Sequence, residues 1–340
     1  MGQLSVDEAI GRNDNLLIRS RTGRAYALKH AAGDTTAARM LALEAGFLDL
    51  ASAPVSPARD SLGMHVPRLA CFDRDQGVLV THIAPGTREL WELDAPDDAL
   101  PRIGSASGTV LAACHAVTGD EIPGPLRERR PPWVLQLHRQ DPSLLGDAWP
   151  AHLEVIGMVQ ANDATCAALD HLHAGWTRQC LIHGDVKLSN LLAVPDVDSN
   201  SGLRLILIDW ETASAGDPAW DVGSAFQMIL WHALHSVFNS DETLPPADPR
   251  EAFAKRLLLY RPELQDFARA YRDASATGTP ASLFLRSTTW CGVRLMQSAY
   301  EEASGLEHPS LFSLSLLQLG VNMLADPRGA MRDVLALDMA

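Results

Sequence analysis

The chain has no Cys-x-x-Cys pair, and its cysteines, Cys71, Cys114, Cys166, Cys180 and Cys291, are scattered and odd in number. This excludes a cysteine zinc centre and a disulfide framework, and it points to a reducing cytoplasm. Each cysteine reads as a small core residue rather than a nucleophile. Blocks of Lys and Arg are lacking too. The densest basic cluster, Arg127, Arg129 and Arg130, runs into Pro131-Pro132 and reads as a solvated turn. With a formal charge of −14, the chain repels nucleic acid and anionic membrane surfaces. No long apolar run is present. Val222 to Phe238 and Leu311 to Leu324 are interrupted by polar residues and read as buried helices, not membrane spans. Met1 to Ile10 carries Asp7 and Glu8 and does not read as a signal peptide. There is no internal repeat and no low-complexity segment.

What is present is a chain of 340 residues, 46% apolar, enough for two average domains or one bilobal enzyme with a cleft. Leu16 to Ile18 and Ala25 to Lys29 read as a hairpin around Arg21-Thr-Gly-Arg24. Alternation puts Ala25, Ala27 and Lys29 on one face, so that the lysine lies among small residues and can enter a cleft. Thr35 to Ala51 reads as a helix carrying Glu44. Pro54 to Pro67 reads as a loop, followed by strands over 66–72 and 77–83. Ala84-Pro-Gly86 then breaks the pattern. This places a hinge between a small sheet lobe, 1–84, and a larger, mainly helical lobe, 85–340. Helical patterns follow at Ala106 to Val117 and, as one 3–4 spaced stripe, at Leu153 to Trp176. Pro123 to Pro132 is an irregular connector, and Ala193 to Gly202 a polar loop between short strands.

The chemistry concentrates in Leu181-Ile-His-Gly-Asp-Val-Lys-Leu-Ser-Asn190. Asp185 can accept a proton from an attacking hydroxyl. Lys187 can neutralise charge on a moving phosphoryl group, and Asn190 can ligate Mg²⁺ from the same loop. The apolar run Leu203-Arg-Leu-Ile-Leu-Ile208 then delivers a second acid, Asp209, at its end. A base, a cation and two metal ligands in this order form the catalytic half of a kinase-type site.

HGDVKLSN at 183–190, LILIDWE at 205–211 and GDPAWDVG at 216–223 together resemble the signature of the aminoglycoside phosphotransferase and choline kinase-like enzymes. The resemblance implies an α+β, bilobal protein-kinase-like fold and transfer from ATP with Mg²⁺. It makes Asp185 the catalytic base, with Lys187 beside it, and Asn190 and Asp209 the metal ligands. Lys29, held by Glu44, is to contact the α and β phosphates. His82 and Ala84 are to offer backbone hydrogen bonds to adenine. Gly11-Arg-Asn-Asp-Asn15 falls where the family has its phosphate loop, so Gly11 and Asn13 join the nucleotide set. That loop has a single glycine. His183 and Asp221 are to brace the catalytic loop from behind, and Trp210-Glu211 stands where protein kinases have Phe-Gly.

Three acceptor readings remain. Pro131 to Arg139, Ile156 to Gln160 and Gly216 to Gln227 resemble a subgroup that serves ribosomally made, modified peptides, similar to class V lanthipeptide and thioamitide systems. There a phosphorylated Ser or Thr is eliminated by a separate lyase protein. Lys187 and the 131–139 connector place this reading first. A small-molecule kinase for a cationic alcohol, such as an aminoglycoside or choline-like acceptor, is favoured by the acidic charge. A pseudokinase scaffold is opposed by the intact Lys29, Asp185, Asn190 and Asp209.

Overall fold

The computed structural model describes residues 4–9, 14–20, 24–31, 35–52, 57–90, 103–127, 130–139, 148–196, 202–238, 248–275 and 282–337. The chain forms two compact units. The first comprises Met1–Asp94, Thr109–Glu128 and Cys180–Ala215; the second comprises Ala95–Gly108, Arg129–Gln179 and Gly216–Ala340.

In the first unit a five-stranded antiparallel sheet has the order β1-β2-β3-β5-β4. Its strands are β1 (Leu4–Ala9), β2 (Asp14–Ser20), β3 (Ala25–His30), β4 (Arg68–Asp73) and β5 (Val78–Ile83). The β2–β3 hairpin pairs Asn15 with Lys29 and Leu16 with Leu28, which fixes the face that Lys29 occupies. β1 was not legible as a strand; it pairs along β2 with Val6 opposite Ile18. Helix α1 (Thr35–Ala51) buries Leu41, Glu44, Ala45, Phe47, Leu48 and Ala51 along one stripe. Its run of Ala, Leu, Met and Arg favours a helix.

Four expectations are corrected. The loop expected from Pro54 to Pro67 contains a helix, α2 (Pro57–Gly63). Pro57 stands at the first helical position, where its fixed φ and missing N–H fit, and Leu62 is buried as its anchor. The polar loop expected from Ala193 begins later, because β8 (Leu191–Pro195) continues through Pro195 and pairs with β9 (Leu203–Leu207). A third strand, β6 (Arg88–Glu89), joins that sheet at β8. Of the cysteines, Cys114, Cys180 and Cys291 are buried, but Cys166 is only half-buried and Cys71 is exposed on β4. Strand β7 (Cys180–Ile182) is wholly buried, and Leu181 N–H donates to Val117 O at 2.8 Å.

The second unit is helical. Helix α3 (Gly104–His115) begins in it. The single stripe expected from Leu153 to Trp176 is two helices, α4 (Pro150–Gln160) and α5 (Asp163–Ala174). Asn162 breaks it by accepting from Thr165 N–H at 3.0 Å, so a local N-cap outcompetes helix continuation. There follow α6 (Pro218–Phe238), α7 (Pro249–Ala274), α8 (Ser282–Glu301), α9 (Leu311–Ala325) and α10 (Pro327–Asp333). Helix α8 packs against both α6 and α9. Where α8 meets α9, a Cβ on Gly320 would stand 2.6 Å from Gly292 O, so the two backbones can approach only without a side chain there. Trp176, Trp220 and Trp290 meet edge to face, with centroids 5.6 to 6.3 Å apart, and Trp220 is core as its buried position indicates. Among the described residues no helix is long and apolar enough to cross a membrane.

Candidate functional site

A cavity of about 490 Å³ lies in the first unit. Ala25, Ala27 and Lys29 of β3 line it together, as strand alternation requires, and Leu79, Leu192 and Ile206 supply apolar walls. Its polar end holds Lys29, Glu44 and Asp209. Arg24, Arg68 and Arg204 also line it, so the cavity joins apolar walls to charged groups, as suits a base joined to phosphates.

Lys29 Nζ donates to both Glu44 carboxylate oxygens, at 2.8 and 3.0 Å, and to Asp209 Oδ1 at 2.7 Å. Burial pulls the Lys29 ammonium towards neutrality, but the charges of Glu44 and Asp209 outweigh it and hold its pKa above the ordinary lysine value. That raised value stabilises the fold fully at neutral pH, and the contribution is lost only as pH climbs through the folded value. Burial pushes the Glu44 carboxyl up, with Lys29 pulling against it. Glu44 also accepts from Trp210 N–H at 3.3 Å, so one carboxylate ties α1 to both β3 and the residue after Asp209.

Asp209 sits just past β9 in the left-handed region, at φ 67° and ψ 59°. Most non-glycine residues pay about 1–2 kcal/mol for that conformation, and Asp and Asn are among the few that visit it readily. What holds it is the packing of Trp210, which is fully buried and stacks on Phe47 of α1 with centroids 4.2 Å apart. Trp210 Nε1 donates to Leu207 O at 2.7 Å.

The stretch from Leu181 to Asn190 is held in the same unit. Lys187 Nζ donates to Asp185 Oδ2 at 2.6 Å. Asn190 Nδ2 donates to Asp185 O at 2.9 Å and lies 3.4 Å from Oδ2, which turns the amide oxygen away from Asp185. Ile208 N–H donates to Asn190 O at 2.9 Å. His183, buried, spans the two acids: Asp185 N–H donates to its Nδ1 at 3.3 Å, and its Nε2 lies 2.9 Å from Ile208 O, directly before Asp209. That network assigns a neutral imidazole protonated on Nε2. Thr212 Oγ1 donates to His183 O at 2.8 Å and closes the bracket from the other side. Thr212 carried no signal in the sequence, and Phe47 read only as an apolar position of its helix, because their roles at the site come from long-range packing.

Gly184 is where the backbone needs glycine. Its φ is +87°, and a Cβ there would stand 2.8 Å from Thr212 O. Gly184→Ala should therefore destabilise the protein by about 1–3 kcal/mol and lower activity with it, measured by urea unfolding beside an assay. An unchanged midpoint would show that the loop relaxes freely.

The remaining nucleotide candidates differ in placement. His82 lies inside β5, opposite Tyr26 on β3 and Arg68 on β4, so its backbone N–H and C=O belong to the ladder. Ala84 follows the end of that strand, and its carbonyl already accepts from Thr87 N at 3.2 Å and Thr87 Oγ1 at 2.7 Å. Both residues line the cavity. Gly11 and Asn13 lie outside the described residues.

A model of the APH phosphotransferase enzyme family matches residues 9–271. The chain belongs to the APH phosphotransferase family. It is an enzyme, a kinase, and its α+β architecture is the protein-kinase-like one expected. Choline kinase LicA from Streptococcus pneumoniae is similar over 95% of this chain and 94% of its own, at 18% identity and a TM-score of 0.51. A Thermobifida fusca protein assigned as a fructosamine-3-kinase is similar over 95% and 93%, at 17% identity and 0.51. APH(2")-IIia, solved with GDP and kanamycin, is similar over 96% and 93%, at 13% identity and 0.50. At these identities the likeness shows the fold alone. No curated protein sequence matches the chain.

Proposed function

We propose that this APH-family enzyme transfers the γ-phosphoryl group of ATP to a hydroxyl acceptor. The observation that carries this reading is the bracket of Lys29, Glu44 and Asp209 at the charged end of the cavity, joined through His183 to the Asp185–Lys187 pair. In this reading the apolar walls take adenine, with the Ala84 N–H as its backbone donor, and Lys29 meets the α and β phosphates. Asp185 orients the acceptor hydroxyl and takes its proton, and Lys187 steadies the oxygen charge that develops beside it.

The donor set fits Mg²⁺. Asp209 and Asn190 offer oxygen ligands, the kind a hard cation takes, and Asp209 Oδ1 already faces one cation, the Lys29 ammonium. Bound there, Mg²⁺ would neutralise triphosphate charge.

For the acceptor, the first reading is a Ser or Thr hydroxyl of a ribosomally made precursor peptide, whose phosphate a separate lyase protein would then eliminate. The 131–139 connector supports it through its likeness to the peptide-modifying subgroup, and Lys187, paired at 2.6 Å with the base, suits attack by a neutral hydroxyl of either acceptor class. The second reading is a cationic alcohol. The charge of −14 favours it, and the similar structures include a choline kinase and a kanamycin complex. Incubation with Mg-ATP and either a Ser/Thr-rich precursor peptide or a panel of aminoglycosides and choline-like alcohols separates the two by the mass increment of one phosphate. Phosphate on the peptide alone selects the first, and on the alcohols alone the second. Nucleotide binding without transfer to either class removes both.

A further inference from the structure

The outer face of α1 carries a groove that the phosphoryl-transfer site does not use. Its volume is about 560 Å³. Ala38, Ala42, Gly46 and Leu50 form one side, Pro125 and Leu126 the other, and Phe47 lies at its floor. Gly46 stands in mid-helix, exposed, with nothing within 4 Å of where its Cβ would lie. Glycine is unfavourable in a helix interior, and here neither a turn nor a close backbone approach calls for it. Its effect is to leave the groove open. Arg39 and Arg74 stand at the rim, both exposed, and among the described residues neither forms an ion pair.

These features select an occupant. From Ala38 to Leu50 the groove follows α1 for roughly 18 Å, on the order of three helical turns. Small residues on that face let a second helix approach closely. The two arginines, in a chain whose net charge is −14, are complementary to carboxylates flanking an apolar face. A second copy of this chain would bring the same negative charge to the contact and is disfavoured. The floor also leads inward. Phe47 stacks on Trp210, whose N–H donates to Glu44 and which directly follows Asp209.

We propose that this groove docks an amphipathic helix of a partner protein, apolar along one face and carboxylate-bearing at the end that meets Arg39 and Arg74, and that docking steadies α1 and, through it, Glu44 and Trp210. The inference concerns binding and does not depend on the acceptor or on the reaction.

The probe is a fluorescein-labelled helical peptide of about four turns, with a Leu/Ala face and a cluster of glutamates at one end. Binding to the full chain is read by anisotropy, and backbone protection by hydrogen exchange. Saturable binding is expected, weakened about tenfold or more by Gly46→Leu and by the double change Arg39→Glu with Arg74→Glu. Slower exchange of the Trp210 N–H should accompany it. Gly46→Leu adds a good helix former to an open position, so its thermal melt should show an intact fold. Equal binding by the same peptide with lysines in place of the glutamates would overturn the proposal, as would unchanged binding to the groove variants. So would binding of dodecyl phosphate but not the peptide, which assigns the groove to a small amphiphile. Dimerisation abolished by Gly46→Leu, read by sedimentation, would assign it to a second copy and equally overturn it.

Discussion

Asp185→Asn lowers kcat by about 10²–10⁴-fold, the range typical for loss of a positioned general base, while the affinity for nucleotide stays close to that of the wild type. The amide matches the carboxylate in size. It can still accept from Lys187 and from Asn190, which now reach Asp185 at 2.6 and 3.4 Å through the same oxygen. The lost property is basicity, together with the negative charge that aligns the acceptor hydroxyl. Lys187→Ala is expected to cost less, because it removes a helper and leaves the base. Since the two side chains act through one hydrogen bond, the double variant should fall little below Asp185→Asn alone. Steady-state kinetics at saturating Mg-ATP, with nucleotide binding measured separately, checks all three. Full additivity would mean that Lys187 works on some other group, and an unchanged kcat for Asp185→Asn would remove this residue from the chemistry.

Much of this site could be read from local patterns. Alternation in the hairpin assigns Lys29 to the face of Ala25 and Ala27, and the structure lines the cavity with all three. The helical stripe of α1 carries Glu44 inward with Leu41, Ala45 and Leu48. The spacing from Asp185 to Asn190 fits a single 3-10 turn, Leu188–Asn190, which returns the amide to the Asp185 carbonyl. What stayed hidden depends on partners far away in sequence. β1 is short and carries Ser5, Asp7 and Glu8 between its apolar residues, so only its pairing with β2 identifies it. α2 hides behind prolines that punctuate loops as often as they open helices. The break between α4 and α5 turns on one asparagine choosing a cap over a continuing helix. The stack of Phe47 on Trp210 joins residues 47 and 210, and periodicity within a window cannot see such a pair. The stretch from Leu181 to Asn190 also belongs to the same compact unit as the sheet, although nearly a hundred residues of chain separate it from Ile83.

Asp209→Asn has the larger expected effect, a fall in transfer of about 10³-fold or more, because charge neutralisation on the moving phosphoryl group is the larger contribution to catalysis. The substitution separates chemistry from folding. Asparagine tolerates the left-handed backbone at φ 67° better than most residues, so the turn after β9 is kept, whereas alanine would add strain. Lys29 keeps its two bonds to Glu44, and the Asp209 side chain is 29% exposed, so the lost ion pair should lower stability by only about 1 kcal/mol. The melting temperature of the nucleotide-free protein therefore moves little while turnover collapses. If the Asp209 carboxylate holds Mg²⁺, the residual activity should require a higher Mg²⁺ concentration than the wild type, and chelation should abolish both. If the variant keeps full activity with an unshifted Mg²⁺ requirement, the 2.7 Å contact between Lys29 and Asp209 is only a structural ion pair, and the charged end of the cavity must bind phosphates through Lys29 alone.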